Sequence, residues 1–149
     1  MGSRPVLLCA STREGEEAAL LDALGPDAGN GRLLVIVPRH PQRFEEVASL
    51  VGRRGLALAR RSAGVRCDAG GADVLLGDTM GEMAFYYALA DVVVMGGSVL
   101  PFGSHNLIEP LAQGMPVVPG PSDYNFRDAA RAAIEAGAAV RAASAGQVI

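Results

Sequence analysis

The stretch Val92–Pro119, VVVMGGSVLPFGSHNLIEPLAQGMPVVP, decides how the rest of the chain is read. Val92–Met95 is an unbroken apolar run of strand length, read as a buried strand, and Val117–Val118 is read as a second, short one. Between them lie a loop carrying Gly96, Gly97 and Gly103 and a short helix opening near Asn106. Glycines directly after a buried strand let the backbone approach a ligand with no Cβ in the way. The helix that follows turns its unpaired N–H groups and positive dipole end toward the same place. His105, Asn106 and Glu109 stand at that mouth, the layout of an anion or nucleotide site. The N-x-x-E spacing of Asn106 and Glu109 equally fits a helix N-cap with a carboxylate reaching back. Either reading puts Glu109 at the helix opening, with Pro110 in the first turn, where a missing N–H costs little.

Working outward, Val6–Ala10 and Leu33–Val37 are also apolar throughout, as strands buried on both faces of a parallel sheet are. Leu56–Ala59, Asp73–Leu76 and Ala138–Val140 are expected to add shorter strands. Helices are expected between them. The box Ser11-Thr12-Arg13-Glu14 opens one that runs through Leu24. A second carries Phe44, Val47, Ala48 and Val51 on one face and ends at Gly55. Thr79-Met80-Gly81-Glu82 opens a third, through Leu89, and Phe126–Ala136 is a fourth, capped by Ser122 or Asn125 and ended by Gly137. Ser62–Gly71 reads as a surface loop. Alternation of strand and helix with short connections predicts an α/β fold, a doubly wound, Rossmann-like parallel sheet.

With 149 residues, half of them hydrophobic, the chain is long enough to bury a real core and is expected to form one domain, 1–149. A net charge of −3 argues against a basic nucleic-acid-binding surface. Of the two cysteines, Cys9 sits in an apolar strand and reads as reduced and structural. There is no Cys/His cluster with metal-ligand spacing, and no apolar run reaches membrane-spanning or signal-peptide length. The Met1-Gly2-Ser3 start and the abrupt end at Val148-Ile149 point to an excised domain.

In doubly wound sheets ligands bind outside the carboxyl ends of the strands. Ser11, Thr12, Arg39, His40, Thr79, Glu82, Ser98, His105, Asn106 and Glu109 are all expected there, both histidines of the chain among them. Arg39 follows a strand directly, between Pro38 and Pro41, which suits it to meet a phosphate or carboxylate. A Walker A loop is absent, as is a clean G-x-G-x-x-G after the first strand, so this is not an ordinary P-loop or NAD site.

ASTREGEE (Ala10–Glu17), VPRHP (Val37–Pro41), GDTMGEM (Gly77–Met83), ADVVVMGGS (Ala90–Ser98) and HNLIEP (His105–Pro110) occur together, in this order. The set resembles the 3-deoxy-D-manno-octulosonic acid (Kdo) transferases of lipid A assembly, over about Arg4–Ala139. That resemblance implies the C-terminal, donor-binding half of a GT-B glycosyltransferase with two facing Rossmann-like domains. It implies CMP-Kdo as donor, lipid A or its precursor as acceptor, transfer with inversion, no metal or other cofactor, and work at the cytoplasmic face of the inner membrane. Carried over residue by residue, Arg39 and His40 would meet the donor's phosphate or sugar carboxylate. Met80, Gly81 and Glu82 would line the nucleotide pocket, while Gly96, Gly97 and Ser98 would let the backbone reach the phosphate. Asn106 and Glu109 would hold the ribose side, and Ser11 would face the cleft between domains. Where family members often read GGHN, this chain has Gly103-Ser104-His105-Asn106, a slightly stiffer loop. The family's general base is a glutamate of the N-terminal half, which also carries the acceptor groove and membrane anchor. This chain alone is therefore expected to bind donor without transferring it, with no catalytic residue of its own; Glu16 and Glu82 are bases by type only. Two other functions fit the residues: a non-catalytic nucleotide-binding module, and the donor domain of another GT-B enzyme that uses a UDP-sugar.

Overall fold

The computed structural model describes residues 4–25, 31–64 and 71–143. Cys67, the Met1–Ser3 start and the Val148–Ile149 end lie outside the described residues. The apolar runs form six strands: β1 (Val6–Thr12), β2 (Leu33–Pro38), β3 (Leu58–Arg60), β4 (Val74–Leu76), β5 (Val92–Met95) and β6 (Val117–Val118). They make a sheet in the order β3-β4-β2-β1-β5-β6, every pairing parallel. The helices are α1 (Glu16–Leu24), α2 (Phe44–Arg53), α3 (Met83–Leu89), α4 (Ile108–Ala112) and α5 (Arg127–Glu135). Among the described residues no helix is long and apolar enough to cross a membrane.

Successive strand residues face opposite sides of the sheet, so an unbroken apolar strand supplies two cores. Leu8, Ala10, Val35, Val37, Val93 and Met95 pack with Tyr86 and Tyr87 of α3 and with Ala130 and Ala133 of α5. Leu7, Cys9, Leu34, Ile36 and Val94 pack on the opposite face with Leu20, Leu21 and Leu24 of α1 and with Val47 and Val51 of α2. Helices thus cover both faces, and the doubly wound parallel sheet is as expected. The central strands β1 and β5 run in register from Leu7–Val92 to Ala10–Met95. From β1 the chain winds outward through β2, whereas β5 leads the other way to β6, so the strand order reverses at the carboxyl ends of β1 and β5.

Several boundaries differ from the sequence reading. β3 begins at Leu58 instead of Leu56, because Ala57 spends its N–H on the Asp73 carboxylate before the ladder starts. Ala139 makes one isolated bridge to Val117 and no strand. The first turn of the expected loop at Ser62 is a 3-10 turn, Arg61–Ala63. The Ser11–Glu14 box does not form: β1 continues through Ser11 and Thr12, and α1 starts at Glu16 after Gly15. Thr79 and Glu82 hydrogen-bond each other side chain to side chain, and neither caps α3. Leu107 stands at the cap position of α4; Asn106, one residue earlier, accepts the Ile108 N–H on its Oδ1 at 2.9 Å, and Glu109 does not reach back to complete a box. Ser122 and Asn125 leave α5 uncapped, since they bond Gly103 and Phe102 instead.

Candidate functional site

The reversal of strand order opens the sheet edge through one close approach. Ser11 forms a bulge at the end of β1, with a left-handed φ of 57° and a register shift between Ala10 and Thr12. Gly96 passes directly against it: a Cβ there would lie 1.9 Å from the Ser11 carbonyl oxygen. Only glycine permits that contact. The next residue, Gly97, also has a left-handed φ, 78°, and turns the chain away from the sheet.

The loop after β5 then closes on itself. The Gly96 carbonyl accepts the His105 N–H at 3.0 Å, and the Gly97 carbonyl accepts that of Ser104 at 2.8 Å. Inside it lies the fully buried carboxylate of Glu16. One oxygen accepts the N–H groups of Arg13 (2.8 Å) and Gly97 (2.7 Å). The other accepts those of Val99 (2.9 Å) and Leu100 (3.2 Å). Burial holds this carboxyl above its ordinary range, with the four N–H bonds pulling the other way. Glu17 is buried as well and is held by the Thr12 hydroxyl and Arg43, at 2.8 and 2.7 Å. A glutamate pair opening a helix reads in sequence as a solvated first turn. Here both carboxylates are interior, and Glu16 ties α1 to the glycine loop.

A cavity of about 380 Å³ opens at this edge. Val37, Tyr86, Tyr87, Met83 and Met95 supply its apolar and aromatic lining. Ser11, Arg39, Thr79, Met80, Gly81, Glu82, His105, Asn106 and Glu109 complete it. Nine residues singled out from the sequence therefore meet here: Ser11, Arg39, Thr79, Met80, Gly81, Glu82, His105, Asn106 and Glu109. Each strand end or loop contributes a few. Arg39 leaves β2 with its N–H on the Thr12 carbonyl at 2.9 Å, which aligns the ends of β1 and β2.

The other five stand behind or beside the lining, and Thr12 among them is buried with its hydroxyl on Glu17. Gly96 and Gly97 shape the loop from below. Ser98 is fully buried: its hydroxyl donates to the Met95 carbonyl and accepts the Gly120 N–H at 2.9 Å, joining the β5 loop to the segment after β6. His40 begins the 3-10 turn Pro41–Arg43 and is partly exposed. The residues that the sequence reading did not assign are the floor, Tyr86 and Tyr87 above all. Their signal was present in the tyrosine pair MAFYYAL directly after Glu82. Gly77 makes the room for Tyr86, because a Cβ there would lie 2.8 Å from its ring.

Charge divides the rim. Arg39 and Glu109 make no ion pair among the described residues. Glu82 is held by Thr79 and by Arg61 at 3.0 Å, which keep its carboxyl below the usual range. Burial, reinforced by the Glu109 carboxylate, pushes the Tyr87 phenol up. Burial first, then the positive charges of Arg13, Arg39 and His40, hold the His105 imidazole below its ordinary value. Its buried Nε2 has no hydrogen-bond partner among the described residues. The cavity thus joins an aromatic floor to unpaired cationic, anionic and imidazole groups at a strand-order reversal.

The chain is similar over most of its length to proteins of one family. It is 38% identical to a solved structure described as the C-terminal CMP-Kdo binding domain of WaaA from Acinetobacter baumannii, with a TM-score of 0.91, covering 99% of this chain and 77% of that one. This chain belongs to the 3-deoxy-D-manno-octulosonic acid transferase family. It is 55% identical over 144 residues to the Kdo transferase of Bordetella pertussis, covering 93% of this chain and 34% of that protein. To the Kdo transferase of Haemophilus influenzae it is 39% identical over 135 residues, covering 89% of this chain and 31% of that protein. The chain spans about a third of the length of these curated Kdo transferases. No protein-family model matches it.

Proposed function

We propose that this chain is the donor-binding domain of an inverting Kdo transferase, taking CMP-Kdo into the cavity at the carboxyl edge of the sheet. In this reading the lipid A precursor is accepted by the rest of the full-length enzyme, at the cytoplasmic face of the inner membrane. The observation that carries it is Arg39, without an ion pair among the described residues, on the rim of an aromatic-floored cavity where the strand order reverses. The solved domain named for CMP-Kdo binding, similar over nearly the whole chain, supports the same ligand.

The chemistry divides accordingly. Glycosyl transfer to a hydroxyl needs a base on the acceptor and stabilisation of the departing phosphate. Arg39 supplies the second, a fixed cation beside the phosphate whose charge grows as the glycosidic bond breaks. Gly96 and Gly97 bring the backbone close to that phosphate. Tyr86 and Tyr87 offer a surface for the pyrimidine, Met80 and Gly81 close over the nucleotide, and Asn106 and Glu109 take the ribose, Glu109 accepting from its hydroxyls. His40 serves the anionic side, and Ser98 acts through the loop shape it fixes. Neither Glu16, enclosed by backbone N–H groups, nor Glu82, held by Thr79 and Arg61, is free to take the acceptor's proton. The base is assigned to the rest of the enzyme.

The test is calorimetric titration of the chain with CMP, UMP and AMP. CMP should bind best, and Arg39→Ala should weaken it by about 1.5–3 kcal/mol, as loss of a charged hydrogen bond does. Equal affinity for UMP would favour a UDP-sugar enzyme instead, and no nucleotide binding at all would refute the donor reading.

A further inference from the structure

Arg13 follows Ser11 and Thr12 off the end of β1, beside the cavity that Ser11 lines. Its guanidinium carbon lies 4.6 Å from the centroid of the Phe102 ring, and Phe102 belongs to the loop that brings His105 to the cavity. A guanidinium stacked on a ring has one face occupied and its N–H edge still open for a planar anion. No carboxylate meets that edge among the described residues. The acids nearest in sequence are engaged or turned outward. Glu16 closes on backbone N–H groups, Glu17 binds Thr12 and Arg43, and Glu14 is exposed and makes no ion pair among the described residues. Arg39, entering the cavity from the end of β2, is likewise without a carboxylate. The fields of both arginines fall on His105, whose buried Nε2 has no hydrogen-bond partner among the described residues.

Two uncompensated guanidiniums at one edge suit a ligand with two separate negative groups. CMP-Kdo has a phosphodiester and, on its sugar, a carboxylate; CMP has only the phosphate. Resting on the donor-binding reading above, we propose that Arg13 binds the sugar carboxylate of the donor while Arg39 takes the phosphate. Arg13 would then select a sugar-acid donor over the bare nucleotide and over neutral nucleotide sugars. A carboxylate matches the guanidinium edge in a bidentate pair, which an ammonium cannot reproduce.

The experiment is displacement of a fluorescent CMP probe by CMP and by CMP-Kdo, on the wild-type chain and its Arg13→Ala, Arg13→Lys and Arg39→Ala variants. Wild type should prefer CMP-Kdo over CMP. Arg13→Ala should cut that preference about tenfold or more, the scale of one charge-assisted pair, with CMP affinity changed less than about twofold. Arg13→Lys keeps the charge and should recover part of the preference. Arg39→Ala should weaken both ligands together. An unchanged CMP-Kdo to CMP ratio in Arg13→Ala, or equal weakening of both ligands, overturns the carboxylate assignment and leaves the donor-site reading standing. A wild-type chain that binds neither ligand overturns both.

Discussion

Glu16 offers the sharpest test of how the site is held. Its two oxygens accept four backbone N–H groups from Arg13, Gly97, Val99 and Leu100, and the side chain is fully buried. Glu16→Gln keeps the shape but replaces one oxygen with an NH2 group, which must face two of those donors. An orphaned buried donor costs about 1–3 kcal/mol. Two of them give about 2–6 kcal/mol, and relaxation of the loop brings the expected loss to about 2–4 kcal/mol. That is a large fraction of the roughly 5–15 kcal/mol that holds a domain folded. Glu16→Ala strands all four donors, and its loss of about 4 kcal/mol or more approaches the whole stability. Urea unfolding followed by circular dichroism measures the difference, provided the slopes match wild type. The His105 ring resonances should shift in the Gln variant as well, because His105 hangs on the loop through Gly96. A Glu16→Gln chain within about 0.5 kcal/mol of wild type would refute the view that this carboxylate fixes the loop.

Other outcomes follow from single contacts. Gly96→Ala sets a methyl 1.9 Å from the Ser11 carbonyl and should lower stability by about 3 kcal/mol or leave the chain insoluble, read by thermal unfolding. The His105 imidazole loses its proton at a lower pH folded than unfolded, so the unfolded chain holds more protons in the window below 6.5. Wild type should therefore lose stability relative to His105→Gln as pH falls through and below 6.5, the difference between the two staying constant above that window, as paired urea titrations would reveal. The Glu109 side chain makes no hydrogen bond among the described residues and does not close a capping box. Glu109→Gln should accordingly leave the melting temperature unchanged while narrowing the preference for CMP over dCMP, and an unchanged preference would remove the ribose role.

The strands were legible because burial on both faces demands continuous apolar runs: β2 and β5 show nothing else, and β1 is apolar as far as Ala10. The edge strand β3 was displaced because its three residues are only partly buried, and a side-chain bond decides where its ladder begins. Capping boxes were the weakest inference, since Ser, Thr and Asn side chains choose among several nearby partners. Thr79 found Glu82 and Tyr86, and Asn106 found Ile108 without help from Glu109. The rim of the site was visible as polar residues at strand ends. Its aromatic floor showed only as the tyrosine pair after Glu82, which looks the same whether it faces a core or a cavity. The role of Glu16 was hidden for another reason: three of its four partners lie 81 to 84 positions away, and no local pattern encodes them.

The way the loop is anchored bears on its response to ionic strength. Mobile ions weaken attractions between solvent-exposed charges, with a screening length of about 8 Å at physiological salt, but act little on buried ones. Glu16 grips uncharged N–H groups in the interior, whereas Arg39 is exposed at the rim and Arg60 pairs outside with a Glu45 whose side chain is 79% exposed. Added salt should therefore weaken capture of an anionic ligand without loosening the loop that shapes its pocket. Salt titration separates attraction from shape in this domain: affinity falls with concentration while the His105 resonances stay where they are.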